Sequence, residues 1–433
     1  MSMPFTCSSE IMLILILDIT SLKTCYKTEV LIVLKLYNSR YMYLCYFRLK
    51  NSVETKQQTV TVNTTSSPPK PCEKKKNFVF IKTHKSGSTT LIAPMQKFAY
   101  KNDLYMVVPS MNHNVQLGWP YNFVPLTNIV MPPRGKNFQA LVNHVVYNRT
   151  VMDSIMEPKT TYITVVRDPK PHLLSTYIYF GLNEGFKIGY DPEAFEKFLN
   201  DTKRYDSLPE YMIKMGMDNV HIKSMTRNLQ SADLGLENRL FDNPDATHKF
   251  IEQIEREFDF ILILERLAES LVLMKRKMCW SMQEIIRINK NRRPQNWGYD
   301  KINPKLAQNA YAWNNVDSLL YNMAQKKLNN MRKGEKRLDE EIALYNKINA
   351  NVLRYCAPMD KWNTTTLKDP EPLIVEKSDF NEQFQVDRKF CVLLLLHEDD
   401  FTFLFKCKQY PDHRQCKEKI SHLHELYSLL RGA

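Results

Sequence analysis

Short apolar runs alternate with amphipathic stretches from residue 77 onward. Phe78–Ile81 is fully apolar between Lys76 and Lys82, which predicts a buried strand. A polar turn, Thr83–Ser88, follows with Gly87 inside it. From Thr89 the apolar residues Leu91, Ile92, Met95 and Phe98 recur at helical spacing. Leu104–Val108 and Phe138–Tyr147 read as further strands, the second carrying Asn143 and His144 near its end. Thr160–Val166 is β-branched and is the clearest strand in the chain. The pattern from Pro171 through Leu173, Leu174, Tyr177 and Ile178 predicts a helix. Phe258–Leu264 predicts a strand, Glu265–Met278 a helix, and Lys305–Ile348 is largely helical. Lys389–His397 and Phe401–Phe405 are apolar runs that read as two more strands. Pro109–Pro133, with its prolines and asparagines, reads as loop. Strands alternating with helices predict an α/β fold with a central, mostly parallel sheet flanked by helices.

Residues 1–50 are apolar but interrupted: Ile11–Leu17 stops at Asp18 and Val30–Leu34 at Lys35. A membrane-spanning helix needs about 20 mostly apolar residues, and neither run reaches that, so the region reads as an interrupted signal anchor, with an uncleaved signal-like segment as the alternative. Residues 51–76 are rich in Thr, Ser, Gln and Pro and read as a polar stem. Residues 77–433 remain for one large domain. An apolar start, a stem and a globular domain is the layout of a single-pass luminal enzyme. Asparagines 63, 148, 200 and 363 stand in N-x-[ST] sequons, which permit that location. The net charge of +13 suits a polyanionic partner. Nine cysteines include no C-x-x-C pair, so zinc has no support; Cys407 and Cys416 are close enough to pair in an oxidising compartment.

Two stretches carry chemistry. The strand–turn–helix at 77–91 is a ready-made anion site, with free amides and the positive end of a helix dipole directed at one place. Lys85 adds charge, and Ser86, Ser88, Thr89 and Thr90 add hydroxyls. It is not a Walker loop, because Lys85 precedes the only glycine. A plainly capped helix start is the alternative reading. In the second stretch Arg167 leaves a strand at its carboxyl end and Ser175 follows eight residues later, together a phosphate clamp. Its alternative is an ion pair between Arg167 and Asp168.

Taken together, KTHKSGSTT, VNHVVYN, ITVVRDP with its following Ser and Tyr-Phe, and ILERLAESLVLMKRKMCW resemble the galactose-3-O-sulfotransferases over about residues 77–355. The resemblance implies a P-loop-type sulfotransferase fold. It implies 3′-phosphoadenosine 5′-phosphosulfate (PAPS) as co-substrate, with no metal. The acceptor would be the 3-hydroxyl of a galactose on a glycolipid or glycan, not nucleic acid. Location would be the Golgi membrane, as a type II glycoprotein with the catalytic domain luminal. Lys85, Ser86, Gly87, Ser88, Thr89 and Thr90 would hold the 5′-phosphosulfate, and Arg167 and Ser175 the 3′-phosphate. Lys85 would also neutralise the leaving phosphate. His144 and His84 are the candidates for general base. His144 is favoured, because related uronyl 2-O-sulfotransferases carry a catalytic histidine in a similar strand; His84 would then orient the loop. The same clamp would also serve a uronic acid or hexosamine acceptor, or a non-catalytic glycan-binding relative.

Overall fold

The computed structural model describes residues 29–38, 41–50, 72–110, 116–189, 192–206, 225–288, 303–360, 370–412 and 416. The chain divides into two compact units, Met1–Lys70 and Pro71–Ala433. In the first, strands β1 (Glu29–Asn38) and β2 (Tyr41–Lys50) pair antiparallel, from Glu29 opposite Lys50 to Asn38 opposite Tyr41. The aliphatic run Val30–Leu34 is therefore in a strand; the run Ile11–Leu17 lies outside the described residues, as does most of the stem. Among the described residues no helix is long and apolar enough to cross a membrane.

The second unit is built on a four-stranded parallel sheet in the order β4-β3-β5-β6, with β3 Phe78–Ile81, β4 Ala140–Leu141, β5 Thr161–Val166 and β6 Phe260–Ile263. Every residue of these strands is buried, which is why they read as unbroken apolar or β-branched runs rather than alternating ones. Helices pack around the sheet: α1 Ser88–Lys101, α2 Pro169–Tyr179, α3 Pro192–Asn200, α4 Leu229–Asp233, α5 Pro244–Glu257, α6 Leu267–Met278, α7 Pro304–Trp313, α8 Asn315–Arg332, α9 Leu338–Cys356, α10 Arg388–Leu395 and α11 Glu398–Gln409. From β3 the chain steps outward to β4, then crosses back to β5 on the other side of β3. That reversal opens a crevice at the carboxyl ends of β3 and β5, where open α/β sheets bind ligands.

Two strand expectations are corrected. Phe138–Tyr147 contracts to the two residues of β4, which pair with Phe78 and Val79 of β3. Beyond Leu141 the chain leaves that register, and His144 bridges instead to Gln116. Leu104–Val108 makes only a single bridge, Met106 to Ala140. The runs at Lys389–His397 and Phe401–Phe405 are helices, α10 and α11. Asp387 caps α10 by accepting from the Phe390 amide at 2.7 Å. Glu398, Asp399 and Asp400 in the first turn of α11, with Lys406 and Lys408 in its last, match the helix dipole. Phe390 through Leu394 are all buried, so α10 presents no polar face and its period is invisible in the sequence.

Three disulfides join Cys72 to Cys279, Cys356 to Cys391 and Cys407 to Cys416, the last as the sequence spacing suggested. The second ties the end of α9 to α10. A second apolar cluster, including Leu173, Tyr177, Phe195, Phe198 and Trp313, locks α2 against α3 and α7.

At the end of β3, Lys82 Nζ meets Glu398 Oε2 of α11 at 2.5 Å, with the side chains 5% and 10% exposed. Burial lowers the Lys82 pKa, and the Glu398 carboxylate opposes that shift. Glu398→Ala would leave this ammonium buried without its partner, and about 3–5 kcal/mol of stability should be lost in urea unfolding. The apolar pair Lys82→Met with Glu398→Leu should recover most of it. A loss below about 1 kcal/mol for Glu398→Ala would mean that water reaches the pair and that α11 does not seal the end of β3.

Candidate active site

The loop after β3 is shaped by its own hydroxyls. Thr83 donates to the Val165 carbonyl at 2.5 Å, which ties the loop to β5. Ser86 and Ser88 both donate to the Thr83 carbonyl at 2.9 Å. Ser86, Ser88 and Thr90 are buried, while Lys85, Gly87 and Thr89 are partly exposed. The alternation gives the loop an inner face that holds its shape and an outer face open to a ligand. Gly87 caps α1 in the left-handed region, at φ 79°, and a β-carbon there would lie 2.5 Å from Leu264 Cδ1. Helix α1 has no side-chain cap and no acidic residue in its first turn. The amides of Ser88 and Thr89 precede the first intrahelical bond. The electrostatics thus favour an anion at this end.

Arg167 leaves β5 and its guanidinium donates to the Lys85 carbonyl at 3.0 Å, so the two motifs are in contact. Gln230 of α4 grips the Arg167 peptide from both sides, accepting from its amide at 2.7 Å and donating to its carbonyl at 3.0 Å. Asp168 caps α2 through the Lys170 amide and accepts from the Tyr311 hydroxyl. Ser175 is buried on α2, one turn beyond His172. Lys85 itself has φ 55°, and its Nζ lies 3.7 Å from the centre of the Tyr179 ring.

The histidines differ in their surroundings. Asp233, 1% exposed, accepts from the His84 amide at 2.6 Å, from His84 Nδ1 at 2.9 Å and from Trp119 Nε1 at 2.8 Å. With Nδ1–H given to the carboxylate, Nε2 of His84 carries the lone pair. His144 stacks on His84 with ring centres 4.1 Å apart, and its buried Nδ1 has no hydrogen-bond partner among the described residues. Burial, with the His84 and Lys82 charges, pushes the His144 pKa well below the ordinary histidine range. His172 lies behind the loop and donates from Nε2 to the His84 carbonyl at 2.9 Å. Among the described residues no cluster of His, Cys, Asp and Glu could hold a metal ion.

Sequence reasoning missed Asp233, Gln230 and His172, and assigned no role to Trp119. His172 had a signal: it stands three residues before Ser175 on the same helix. Asp233 and Gln230 had none, since the segment LQSAD matches no motif. The two residues share one support. Asp317 of α8 accepts from the Gln230 and Ser231 amides and the Ser231 hydroxyl, and so fixes α4.

The buried groups set a pH dependence. Burial lowers the His172 pKa to about 3 from 6.5, and His144 is lowered in the same direction. Below about pH 6.5 the unfolded chain takes up protons that the folded one refuses, so stability falls as the pH drops. Asp317 acts in the opposite sense: burial raises it to about 6 from 3.8, and it adds stability as the pH falls through that window. Urea midpoints should therefore fall between pH 7.5 and 5.5. His172→Gln should remove one proton from the linkage, about 1.4 kcal/mol per pH unit. An unchanged slope in that variant would show that His172 is accessible to protons in the folded chain.

Comparisons with known proteins agree with this geometry. The family model for galactose-3-O-sulfotransferase matches residues 13–372. A galactosylceramide sulfotransferase from Bos taurus is 30% identical over 293 residues, covering 66% of this chain and 65% of its own length. Galactose-3-O-sulfotransferase 3 from Homo sapiens is 28% identical over 59% of this chain and 56% of its own. Galactose-3-O-sulfotransferase 2 from Mus musculus is 24% identical over 82% and 85%. The parallel sheet, the loop after β3 and the match over most of the residues lead to one conclusion: the chain belongs to the galactose-3-O-sulfotransferase family.

Proposed function

We propose that this chain transfers a sulfuryl group from PAPS to the 3-hydroxyl of a galactose on a glycolipid or glycan. One observation carries the reading. Two anion-binding elements leave adjacent parallel strands, are joined by the bond from Arg167 to the Lys85 carbonyl, and border a histidine held by a buried carboxylate. The 5′-phosphosulfate would rest on the outer face of the loop, against Lys85, Gly87 and Thr89 and the amides of Ser88 and Thr89. Ser86, Ser88 and Thr90 act from the inner face, by holding the loop. Arg167 and Ser175 would take the 3′-phosphate.

In this reading the base is His84 rather than His144. The Asp233 carboxylate orients the His84 ring, whereas burial makes His144 a weak base. The galactose hydroxyl gives its proton to His84 Nε2 as its oxygen attacks sulfur. The bond from sulfur to the 5′-phosphate oxygen breaks, leaving a sulfate ester and adenosine 3′,5′-bisphosphate. Lys85 offsets the charge growing on that phosphate. Trp119, with its ring centre 4.1 Å from that of His84, offers an aromatic face beside the base, which suits a sugar. His144, neutral and adjacent, would orient the acceptor.

Labelled PAPS and a β-galactoside test the reading directly. Transfer should occur and should stop when the 3-hydroxyl is already substituted; transfer only to a uronic acid or hexosamine would move the acceptor assignment. Arg167→Ala should weaken binding of adenosine 3′,5′-bisphosphate by about 2–4 kcal/mol in calorimetry. Asp233→Asn and His84→Ala should cut turnover by about 10²–10⁴ with a smaller effect on donor affinity. If His144→Ala loses turnover in this way while His84→Ala does not, the base is His144.

The proposed location is the Golgi lumen, with the chain held as a type II protein by its N-terminal region. Three disulfides suit an oxidising compartment. Asn148 and Asn200 are exposed, as glycan acceptors must be. Glycosidase treatment of chain made in a secretory cell should increase its mobility; no shift, with the chain in the cytosolic fraction, would overturn the location.

A further inference from the structure

The loop between Trp119 and Lys136 carries a second feature. Tyr121, Val124, Leu126 and Met131 are 50%, 47%, 82% and 44% exposed. The other large apolar side chains exposed among the described residues, at Tyr179, Leu319 and Ile374, are far apart in the sequence. The loop is not loosely built. Leu117, Phe123 and Ile129 are buried beneath it. The Val124 amide donates to Asn128 Oδ1 at 2.8 Å, the Tyr121 amide to the Gly118 carbonyl at 2.8 Å, and the Val130 amide to the Val108 carbonyl at 3.0 Å. Apolar tips are thus held outward on a bonded frame. Arg134 and Lys136 follow them, both exposed, and from Leu104 to Met152 the sequence contains no Asp or Glu.

We propose that this loop docks on the surface of a phospholipid bilayer, with its apolar tips in the headgroup boundary and Arg134 and Lys136 against lipid phosphates. Exposed apolar side chains beside cations, in a stretch that contains no acid, are the chemistry of an interfacial anchor. A second copy of the chain fits less well, because a two-fold contact through this loop would set like charges together without an acid to pair them. At the root of the loop Trp119 touches Asp233 and His84. Docking would therefore hold the base close to sugars displayed on lipid headgroups. Lipid binding itself does not rest on the proposed sulfuryl transfer.

Flotation of the full chain with phosphatidylcholine vesicles, with and without a minority of phosphatidylserine, tests this. Val124→Glu with Leu126→Glu should lower partition to the mixed vesicles by at least about tenfold. Arg134→Gln with Lys136→Gln should abolish the preference for phosphatidylserine, leaving partition to pure phosphatidylcholine unchanged. Turnover on a water-soluble β-galactoside should be unaffected in both, so failure of the transferase reading would leave the flotation result standing. Unchanged partition in variants with wild-type thermal unfolding would overturn the proposal. So would a shift from dimer to monomer in sedimentation without any change in lipid partition, which would make the loop a contact between copies.

Discussion

The carboxylate of Asp233 is the point on which the site depends. It is almost completely buried and takes hydrogen bonds from the His84 amide, the His84 ring and the Trp119 indole. A buried carboxylate is costly unless it is satisfied, and these donors offset that cost by being held together. The same three bonds bring the loop after β3, the loop before β4 and helix α4 to one place. Asp233 is itself held because α4 is capped by Asp317 of α8. A helix of only five residues would be marginal by its own hydrogen bonds, so its rigidity comes from that tertiary cap.

The sheet supplies the other half of the geometry. Parallel pairing sets Ile81 opposite Thr164, so the loop after β3 and the Arg167 turn after β5 emerge side by side. Thr83 then bonds to Val165, and Arg167 to the Lys85 carbonyl, across the gap between those strand ends. His172, reaching the His84 carbonyl from α2, closes the frame from below. Each crossing bond runs between residues far apart in sequence, and the site exists only once the sheet has formed.

This explains what could be read from the chain. The strands Phe78–Ile81 and Thr161–Val166 were legible because burial on both faces demands continuous apolar or β-branched residues. Arg167, Ser175 and the loop at 83–90 were legible because their spacing is local. The inward turn of Ser86 and Ser88 was not, since a hydroxyl in a Gly-containing turn reads the same whether it faces a ligand or a carbonyl. Asp233 was not, because nothing near it in sequence marks an aspartate that will meet a histidine 149 positions earlier. Helices α10 and α11 were misread for a different reason: α10 is buried on almost every side and loses its period, and α11 is too short between Phe401 and Phe405 to display one.

The cations at the site divide by where their charge is already committed. Lys82 and Lys85 are three residues apart, but Lys82 points to Glu398 in a buried pair, and burial lowers its pKa. Its charge is matched, so it adds little field for an incoming anion. Lys85 sits in the left-handed region, and its ammonium lies against the Tyr179 ring. Arg167 bonds to a carbonyl, a neutral acceptor. Lys82 thus fixes α11 over the end of β3, while Lys85 and Arg167 belong to the two loops that meet at the crevice. Glu398 lies beyond residue 372, where the family match ends, so this part of the frame comes from a segment outside the matched region.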